Sequence, residues 1–347
     1  MKAFIAHAPN SGQITEIDAP QLKENEVLIR VAYCGICGTD YDLFSGQSEF
    51  FSTGQATYPI RLGHEWSGVV EKTGKSVRSV RAGDRVVGDN FIACGKCAAC
   101  RQGNFNGCTD RRHVGTINPC WPGAFEEYYV APERHIYKIA DHVSLQEAAL
   151  CEPLSVAYGG VKKMTIRADS VVAVIGTGSI GLSAAALAKN RGGRVFVIGR
   201  NPDKLRVAER MGIDGVISIS RGDIREQLLQ ASGGRLADFV LECSGAEEMV
   251  PELVRIAAQK ATIAMIGFYS CAAVGMDVNG FVSKELTMIG IMGEYGNLEA
   301  VVNLIAGTDL KLKEMITGLV PFAACAPAFS PEDMHTVIKT IVEINKE

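Results

Sequence analysis

Apolar and polar positions follow two different rhythms along this chain. Up to about residue 140, short apolar segments such as EVLIRVAYC, SGVVEKTG, DRVVGDN and FEEYYVAP alternate with glycine-containing turns. Short strands separated by frequent turn residues are typical of β-rich domains. We therefore predict such a domain over the first part of the chain.

From residue 170 onward, strand-like segments alternate with helix-like segments. VVAVIG precedes SIGLSAAALAKN, RVFVIG precedes NPDKLRVAERMG, and GVISI, ADFVLECSG, ATIAMIGF and ELTMIGIMG supply further strands. Almost continuously apolar strands joined by amphipathic helices indicate a parallel sheet covered on both faces. Asn201 suits the N-cap of one helix, with Pro202 at its first position. The pattern predicts an α/β protein with a doubly wound parallel sheet.

The tail of the chain shows a third pattern. After about residue 295 we predict a helix, an irregular stretch that contains Pro321 and Pro327, and a final helix. A length of 347 residues exceeds what one hydrophobic core usually serves, so about two domains are expected. The boundary between them is placed between Glu152 and Asp169.

Composition and charge exclude several classes of partner. The net charge is −4, and the scattered Lys and Arg residues form no basic stripe that would bind nucleic acid. No apolar run reaches the roughly 18 residues of a membrane span. The N-terminal segment MKAFIAHAPN also lacks the apolar core of a signal peptide. These features predict a cytoplasmic protein whose partners include neither nucleic acid nor a membrane.

Four of the 11 cysteines form one compact motif. Cys94, Cys97, Cys100 and Cys108 have the spacing C-x2-C-x2-C-x7-C. Four thiolates at such intervals can close around a tetrahedral zinc and leave no open position, as in structural zinc sites. Buried or disulfide-paired cysteines are the alternative, which the absence of a secretory signal disfavours. The motif therefore predicts a structural zinc in a reducing compartment.

The turn after the segment VVAVI carries a G-x-G-x-x-G pattern. Its glycines would permit a tight turn and a close approach of the backbone to a pyrophosphate at the start of the next helix. A glycine-rich loop that serves packing alone is the alternative, but the flanking strand and helix favour dinucleotide binding. The residues of the pattern are Gly176, Thr177, Gly178, Ser179, Ile180 and Gly181.

The end of the next strand bears on which nicotinamide cofactor is used. An NAD-binding turn usually has an acidic residue about 20 positions further on, where it binds the ribose 2′-hydroxyl. This chain has Gly199 and Arg200 there, and a guanidinium can bind a 2′-phosphate. With Lys204 as added charge, the sequence predicts NADP(H); the alternative is NAD, with Arg200 a solvated residue at the helix start. Further candidate cofactor contacts at strand ends are Ser244, Gly267 and Phe268.

A second group of metal-binding residue types is scattered along the chain. Cys37 lies in the segment YCGICGTD, His64 and Glu65 follow a glycine, and Glu152 precedes a proline. A thiolate, an imidazole and a carboxylate suit a catalytic zinc, which has three protein ligands and an open fourth position. A role beside the metal rather than on it is the alternative for Glu65.

These motifs, in this order and over essentially the whole length, resemble the zinc-containing medium-chain alcohol dehydrogenase family, and most closely its polyol (sorbitol) and threonine dehydrogenase branch. The resemblance implies a GroES-like catalytic domain at 1–155, with the zinc lobe at about 90–110, completed by 295–347. It implies a Rossmann domain at 156–294. It also implies that Glu65 or Glu152 completes the catalytic zinc shell, that Thr39 relays the substrate proton, and that the chain forms a homodimer or homotetramer.

The expected reaction is transfer of a hydride between NADP(H) and a secondary alcohol of a polyol, sugar or sugar-acid substrate. Gln47, Ser48, Glu49 and Tyr58 could hydrogen-bond the hydroxyl groups of such a small molecule, although a surface loop without that role is an equal alternative. The competing hypotheses are a threonine-type amino-acid dehydrogenase and a relative that binds nucleotide without catalysis.

Overall fold

A computed structural model of the chain describes residues 1–271, 273–293, 296–330 and 336–346. The chain divides into two units. The first unit comprises Met1–Glu152, Leu298–Thr308 and Ile316–Glu347. The second unit comprises Pro153–Asn297 and Asp309–Met315. None of the helices in the described part of the chain combines the length and the apolar character of a membrane span.

The regular elements follow the two rhythms of the sequence. The strands, in chain order, are β1 (Lys2–Ala8), β2 (Ser11–Glu16), β3 (Glu26–Gly35), β4 (Glu65–Thr73), β5 (Arg85–Gly88), β6 (Phe91–Ile92), β7 (Arg112–Val114), β8 (Cys120–Trp121), β9 (Tyr128–Pro132), β10 (Ile136–Lys138), β11 (Val171–Ile175), β12 (Arg194–Gly199), β13 (Gly215–Ser218), β14 (Ala237–Glu242), β15 (Ala257–Met265), β16 (Thr287–Gly290), β17 (Ile316–Pro321) and β18 (Lys339–Glu343). The α-helices are α1 (Gly38–Ser45), α2 (Glu49–Ser52), α3 (Ala98–Arg101), α4 (Leu145–Ala148), α5 (Cys151–Val161), α6 (Ser179–Asn190), α7 (Pro202–Arg210), α8 (Ile224–Ser232), α9 (Val250–Ile256), α10 (Val278–Ser283) and α11 (Asn297–Ile305).

The main sheet of the first unit has the strand order β10-β5-β4-β3-β18-β17, and β9 also pairs with β3. Strand β3 pairs antiparallel with β4, β9 and β18, and most of its residues are buried. Trp66, Phe4, Phe125 and Tyr129 are among the largest fully buried side chains of its core. The prediction of a β-rich first domain is confirmed.

The predicted final helix is wrong over residues 339–343, whereas Thr336 is helical. Residues 339–343 form strand β18, which lies between β3 and β17. Ile341 and Val342 are completely buried there. Because β-branched residues fit a buried strand well, two neighbouring strands outweigh the weak helical pattern of this short segment. Part of the predicted helix, residues 331–335, lies outside the described residues.

The sheet of the second unit is parallel throughout its described pairs, with the order β13-β12-β11-β14-β15-β16. This is the strand order of dinucleotide-binding sheets, in which ligands bind where the order reverses, beside the first strand. The reversal lies at β11, all of whose residues are buried. The predicted start of α7 is confirmed, because the Asn201 side chain accepts from the backbone N–H of Asp203 at 2.9 Å.

Candidate active site and cofactor pocket

Asp40 joins two loops that carry candidate metal ligands. Cys37 is the N-cap of α1, and its backbone N–H donates to Asp40 Oδ2 at 3.0 Å. The other carboxylate oxygen, Oδ1, accepts from the backbone N–H of Gly63 at 3.0 Å. Asp40 is completely buried. One carboxylate therefore holds the Cys37 loop beside the turn that precedes His64.

The surroundings of His64 favour positive charge. The ring is buried, and its Nδ1 lies 3.4 Å from Asp40 Oδ1 without the alignment of a hydrogen bond. Burial lowers the pKa of His64, but the Asp40 carboxylate and the Cys37 thiol outweigh burial and hold this pKa well above its usual value. Either a proton or a metal ion would satisfy this environment.

Glu65 is held by a buried ion pair. Its Oε2 accepts from Lys339 Nζ at 2.5 Å, and both side chains are only 2% exposed. Lys339 Nζ also donates to the carbonyl oxygen of Ile36 at 3.0 Å. A Cβ on Gly35 would lie 2.4 Å from Glu65 Oε2, so any larger residue at position 35 would displace this carboxylate. The Glu65 carboxylate therefore has one closely defined place.

Three of the predicted catalytic ligands converge. Cys37, His64 and Glu65 each offer a ligand atom, and these atoms lie within 4.8 Å of one another. Donors bound to one zinc at about 2.0–2.3 Å would lie roughly 3.5 Å apart, so small side-chain adjustments would bring all three onto an ion. The mixed sulfur, nitrogen and oxygen donors fit zinc.

Glu152 and Thr39 lie in the first turns of two helices of this region. Glu152, in α5, is 7% exposed, and one of its carboxylate oxygens accepts from the side-chain amide of Asn90. Burial raises the pKa of Glu152 to about 7; His64 opposes this shift, and Glu65 adds to it. Glu152 therefore lies within electrostatic reach of two of the converging residues, His64 and Glu65. Thr39, in α1, is half-buried.

The predicted substrate contacts of the 47–58 segment differ in their surroundings. The Tyr58 hydroxyl donates to the carbonyl oxygen of Leu43 at 2.6 Å, and Ser48 caps helix α2. These two side chains help to build the loop itself. Gln47 and Glu49 are exposed.

The four-cysteine lobe has the donor set of a closed metal site. Its Sγ atoms lie within 4.8 Å of one another, and none of its cysteines forms a disulfide. The Cys94 sulfur accepts from the backbone N–H of Cys97 at 3.3 Å, and the Cys108 sulfur accepts from that of Cys94 at 3.3 Å. Hydrogen bonds from the backbone N–H groups of Cys100 and Thr109 lower the pKa of Cys97 to about 6. Burial instead raises the pKa of Cys100 to about 12. The fold therefore favours the thiolate at Cys97, and the thiolate is the form that zinc binds.

A pocket of about 220 Å³ lies after the first strand of the parallel sheet. Gly181 is not among the residues that line it. This glycine packs against the backbone of Gly176, since a Cβ at position 181 would lie 2.1 Å from the Gly176 carbonyl oxygen. Ser179 and Ile180 begin α6. The predicted cofactor residues that line the pocket are Gly176, Thr177, Gly178, Gly199, Arg200 and Ser244.

Three further predicted cofactor residues lie outside the described lining of this pocket, as Ser179, Ile180 and Gly181 do. Lys204 is half-buried, and burial lowers its pKa. Gly267 packs against the backbone of Gly245, since an added Cβ would lie 2.4 Å from the Gly245 nitrogen. Phe268 is 82% exposed.

The two residues at the end of β12 have different neighbours. A Cβ on Gly199 would lie 2.5 Å from Thr177 Cγ2, so an acidic side chain cannot occupy position 199 unless Thr177 moves. Arg200 Nη2 lies 3.1 Å from Glu248 Oε1, and both side chains are exposed. Glu248 also lines the pocket.

Comparison with known proteins decides the family. Residues 23–141 match the family model described as the alcohol dehydrogenase GroES-like domain, and residues 179–307 match that of zinc-binding dehydrogenases. The 2-dehydro-3-deoxy-L-galactonate 5-dehydrogenase of Pseudoalteromonas atlantica is 32% identical over 331 residues, 95% of this chain and 94% of that protein. The chain belongs to the zinc-containing medium-chain alcohol dehydrogenases.

Two further relatives show how far this likeness extends. A sorbitol dehydrogenase of Halalkalibacterium halodurans is 29% identical over 91% of this chain and 92% of that protein. The crystal structure of a putative zinc-binding dehydrogenase from Sinorhizobium meliloti bound to NADP has a TM-score of 0.89 and 28% identity, and 99% of each chain is covered. The predicted fold class, a GroES-like domain with a Rossmann domain, is confirmed for this medium-chain dehydrogenase. The prediction that the protein is a zinc-dependent enzyme with a nicotinamide cofactor is confirmed as well.

The sequence did not single out three residues that hold the candidate ligands of this dehydrogenase. Asp40 had a local signal, because an acid three residues after the N-cap can accept from the N-cap backbone, as it does here. Lys339 is 274 residues from Glu65, and Asn90 is 62 residues from Glu152. No local pattern joins such distant positions.

Proposed function

We propose that this zinc-dependent dehydrogenase transfers a hydride between NADP(H) and a secondary alcohol of a polyol, sugar or sugar acid. The observation that carries the proposal is the convergence of Cys37, His64 and Glu65, with donor atoms within 4.8 Å of one another. In this proposal the first unit is the GroES-like catalytic domain, and the second unit is the Rossmann domain.

Each residue has a distinct role in the proposed reaction. Cys37 and His64 would hold the catalytic zinc together with a carboxylate, and when bound there zinc would act as a Lewis acid toward the alcohol oxygen. Asp40 would orient the imidazole by its charge and would fix the Cys37 loop. Thr39 would accept the proton of the substrate hydroxyl and pass it on. The cysteine lobe would hold a second, structural zinc.

Of the two candidate carboxylates, Glu65 has the position that favours ligation. We expect Glu65→Gln to lower the zinc content by about one ion per chain, because a neutral amide is a poor zinc ligand. We expect Glu152→Gln to keep both ions and to lower kcat, because Glu152 would act beside the metal. Zinc is measured on the purified proteins by mass spectrometry. Lys339→Met, which breaks the ion pair but keeps the Glu65 carboxylate, is the control for structural damage, and the opposite pattern would assign ligation to Glu152.

Thr39→Val tests the proton relay. Loss of general base catalysis usually lowers turnover by about 10²–10⁴-fold, and we expect kcat to fall within that range at unchanged zinc content. Thr165→Val, at an exposed threonine, is the matched control. Wild-type turnover in the Thr39 variant would rule out the assigned role.

The preference for NADP(H) is supported by Gly199 and Arg200 in the pocket and by the NADP-bound relative. We expect kcat/KM to be higher with NADP than with NAD. Arg200→Gln should lower kcat/KM for NADP by about 10-fold or more and leave NAD nearly unchanged, because a hydrogen bond to a charged group contributes about 1.5–3 kcal/mol. A clear preference of the wild-type enzyme for NAD would contradict this part of the proposal.

The substrate class is supported by relatives named for sorbitol and for a sugar acid, and by exposed polar residues such as Gln47 and Glu49. A panel of polyols, sugar acids, inositols and threonine, followed by reduced-cofactor absorbance, tests it. Turnover of threonine alone would favour an amino-acid dehydrogenase. Absence of turnover with every compound, together with one zinc per chain, would favour a nucleotide-binding protein without catalysis.

We also propose that the chain forms homodimers or homotetramers. Strand β16 lies at one end of the parallel sheet, so its outer edge offers backbone groups that a second copy can pair with. Three exposed apolar residues lie close to β16 in the sequence: Val278, Val282 and Met292.

A further inference from the structure

The candidate phosphate-binding arginine of the pocket already has a partner. Arg200 directly follows β12, whereas Glu248 lies 48 residues away in the loop that follows β14, within a short 3₁₀ helix (Glu247–Met249). The guanidinium nitrogen Nη2 donates to Glu248 Oε1 at 3.1 Å. Both residues line the same pocket beside the glycine turn. The carboxylate therefore lies next to the group that would bind a 2′-phosphate.

The effect of this carboxylate depends on the cofactor. A phosphate monoester carries about −1.5 to −2 charges at neutral pH, so the 2′-phosphate of NADP would meet like charge at Glu248 and would have to share Arg200 with it. The ribose 2′-hydroxyl of NAD is neutral and can donate to a carboxylate, as it does to the usual acidic residue of such sites. Glu248 therefore opposes Arg200 in the choice of cofactor.

The structure also explains why an acidic residue acts from this loop rather than from β12. An acid at position 199 would collide with Thr177, whose Cγ2 would lie 2.5 Å from its Cβ. The loop after β14 has no such obstacle, since Glu248 is 60% exposed. Its neighbour Glu247 is engaged elsewhere, because it accepts from the Ser270 hydroxyl at 3.2 Å, and it does not line the described pocket.

We infer that Glu248 is a specificity-determining residue that limits the preference for NADP(H) conferred by Arg200. The inference rests on the proposed use of NADP(H) through Arg200. The enzyme would then have an intermediate preference between NADP and NAD. Arg200 attracts the 2′-phosphate of NADP. Glu248 repels this phosphate and offers an acceptor to the 2′-hydroxyl of NAD. Removing the carboxylate charge therefore shifts the balance toward NADP(H).

Steady-state kinetics of four proteins test this inference: the wild type, Glu248→Gln, Arg200→Gln and the double variant. We expect Glu248→Gln to raise the ratio of kcat/KM for NADP to that for NAD by about 5-fold or more, mainly through KM for NADP. This increase in the ratio should be smaller at high salt, because salt screens the interaction between exposed charges. Glu247→Gln is the matched control and should leave the ratio unchanged. An unchanged or lower ratio in Glu248→Gln would overturn the inference.

A binding measurement separates this inference from the proposed function. Calorimetric titration with 2′,5′-ADP and with 5′-ADP requires neither the catalytic metal nor a known substrate. We expect Glu248→Gln to tighten binding of 2′,5′-ADP about 5-fold relative to 5′-ADP. If Arg200→Gln leaves both affinities unchanged, the proposed phosphate contact fails; if only Glu248→Gln is without effect, the inference on Glu248 fails alone.

Discussion

Replacement of Cys37 by alanine or of His64 by asparagine is expected to remove one zinc per chain and nearly all turnover. Both side chains belong to the group whose donor atoms lie within 4.8 Å of one another. A Lewis acid at the alcohol oxygen contributes several kcal/mol to transition-state stabilisation, which corresponds to a loss of about 10³-fold or more in kcat/KM. The structural zinc should remain, so the zinc content should fall from two ions to one.

The control variants for this experiment lie outside both metal groups. His7→Asn replaces an exposed histidine of β1, and Cys120→Ser replaces a half-buried cysteine of β8. Both should keep two zinc ions and wild-type turnover. If Cys37→Ala and His64→Asn also kept both ions and full activity, the proposed catalytic site would be elsewhere.

Replacement of Cys97 or Cys108 by serine is expected to have the second largest effect, on stability rather than on chemistry. Loss of one thiolate opens the four-sulfur site, and structural zinc contributes about 10–16 kcal/mol of apparent binding free energy in small zinc domains. If only about 3 kcal/mol of this reaches the folding of the whole protein, Tm should fall by about 4 °C, because the unfolding entropy of a chain this long is roughly 0.7 kcal/mol/K. The catalytic zinc should be retained.

Calorimetry and zinc analysis check this second prediction, and Cys120→Ser is again the matched control. At low temperature, where the lobe variants remain folded, kcat should stay within a few-fold of wild type, because the closed lobe offers no open position to a substrate. An unchanged Tm at full zinc content in the Cys97 and Cys108 variants would contradict the structural role of the lobe.

Features that depend only on residues close together in the chain could be predicted well. The spacing of Cys94–Cys108 and the glycine pattern of 176–181 each describe one local unit, so residue order alone fixes which groups meet. The parallel sheet was predicted from the alternation of apolar strands with helices. This signal is strong because both faces of a central strand such as β11 are buried and therefore apolar. The N-cap at Asn201 followed from the same local chemistry.

Features that depend on distant partners could not be predicted. Strand β18 was predicted as a helix, because its pairing with β3 joins residues about 300 positions apart in the chain. The Lys339–Glu65 and Arg200–Glu248 ion pairs likewise join separate segments. In each case tertiary contacts decide what the residue does.

The position of Asp40 has a consequence for how the enzyme acquires its metal. Its two oxygens accept from the backbone N–H groups of Cys37 and Gly63, so the polypeptide itself holds the loops of the proposed ligands together. A metal-stripped enzyme should therefore stay folded at this site and accept an ion without reordering the chain. Removal of the metal by a chelator should be reversible, and cobalt should enter the vacated site and report its ligands by colour.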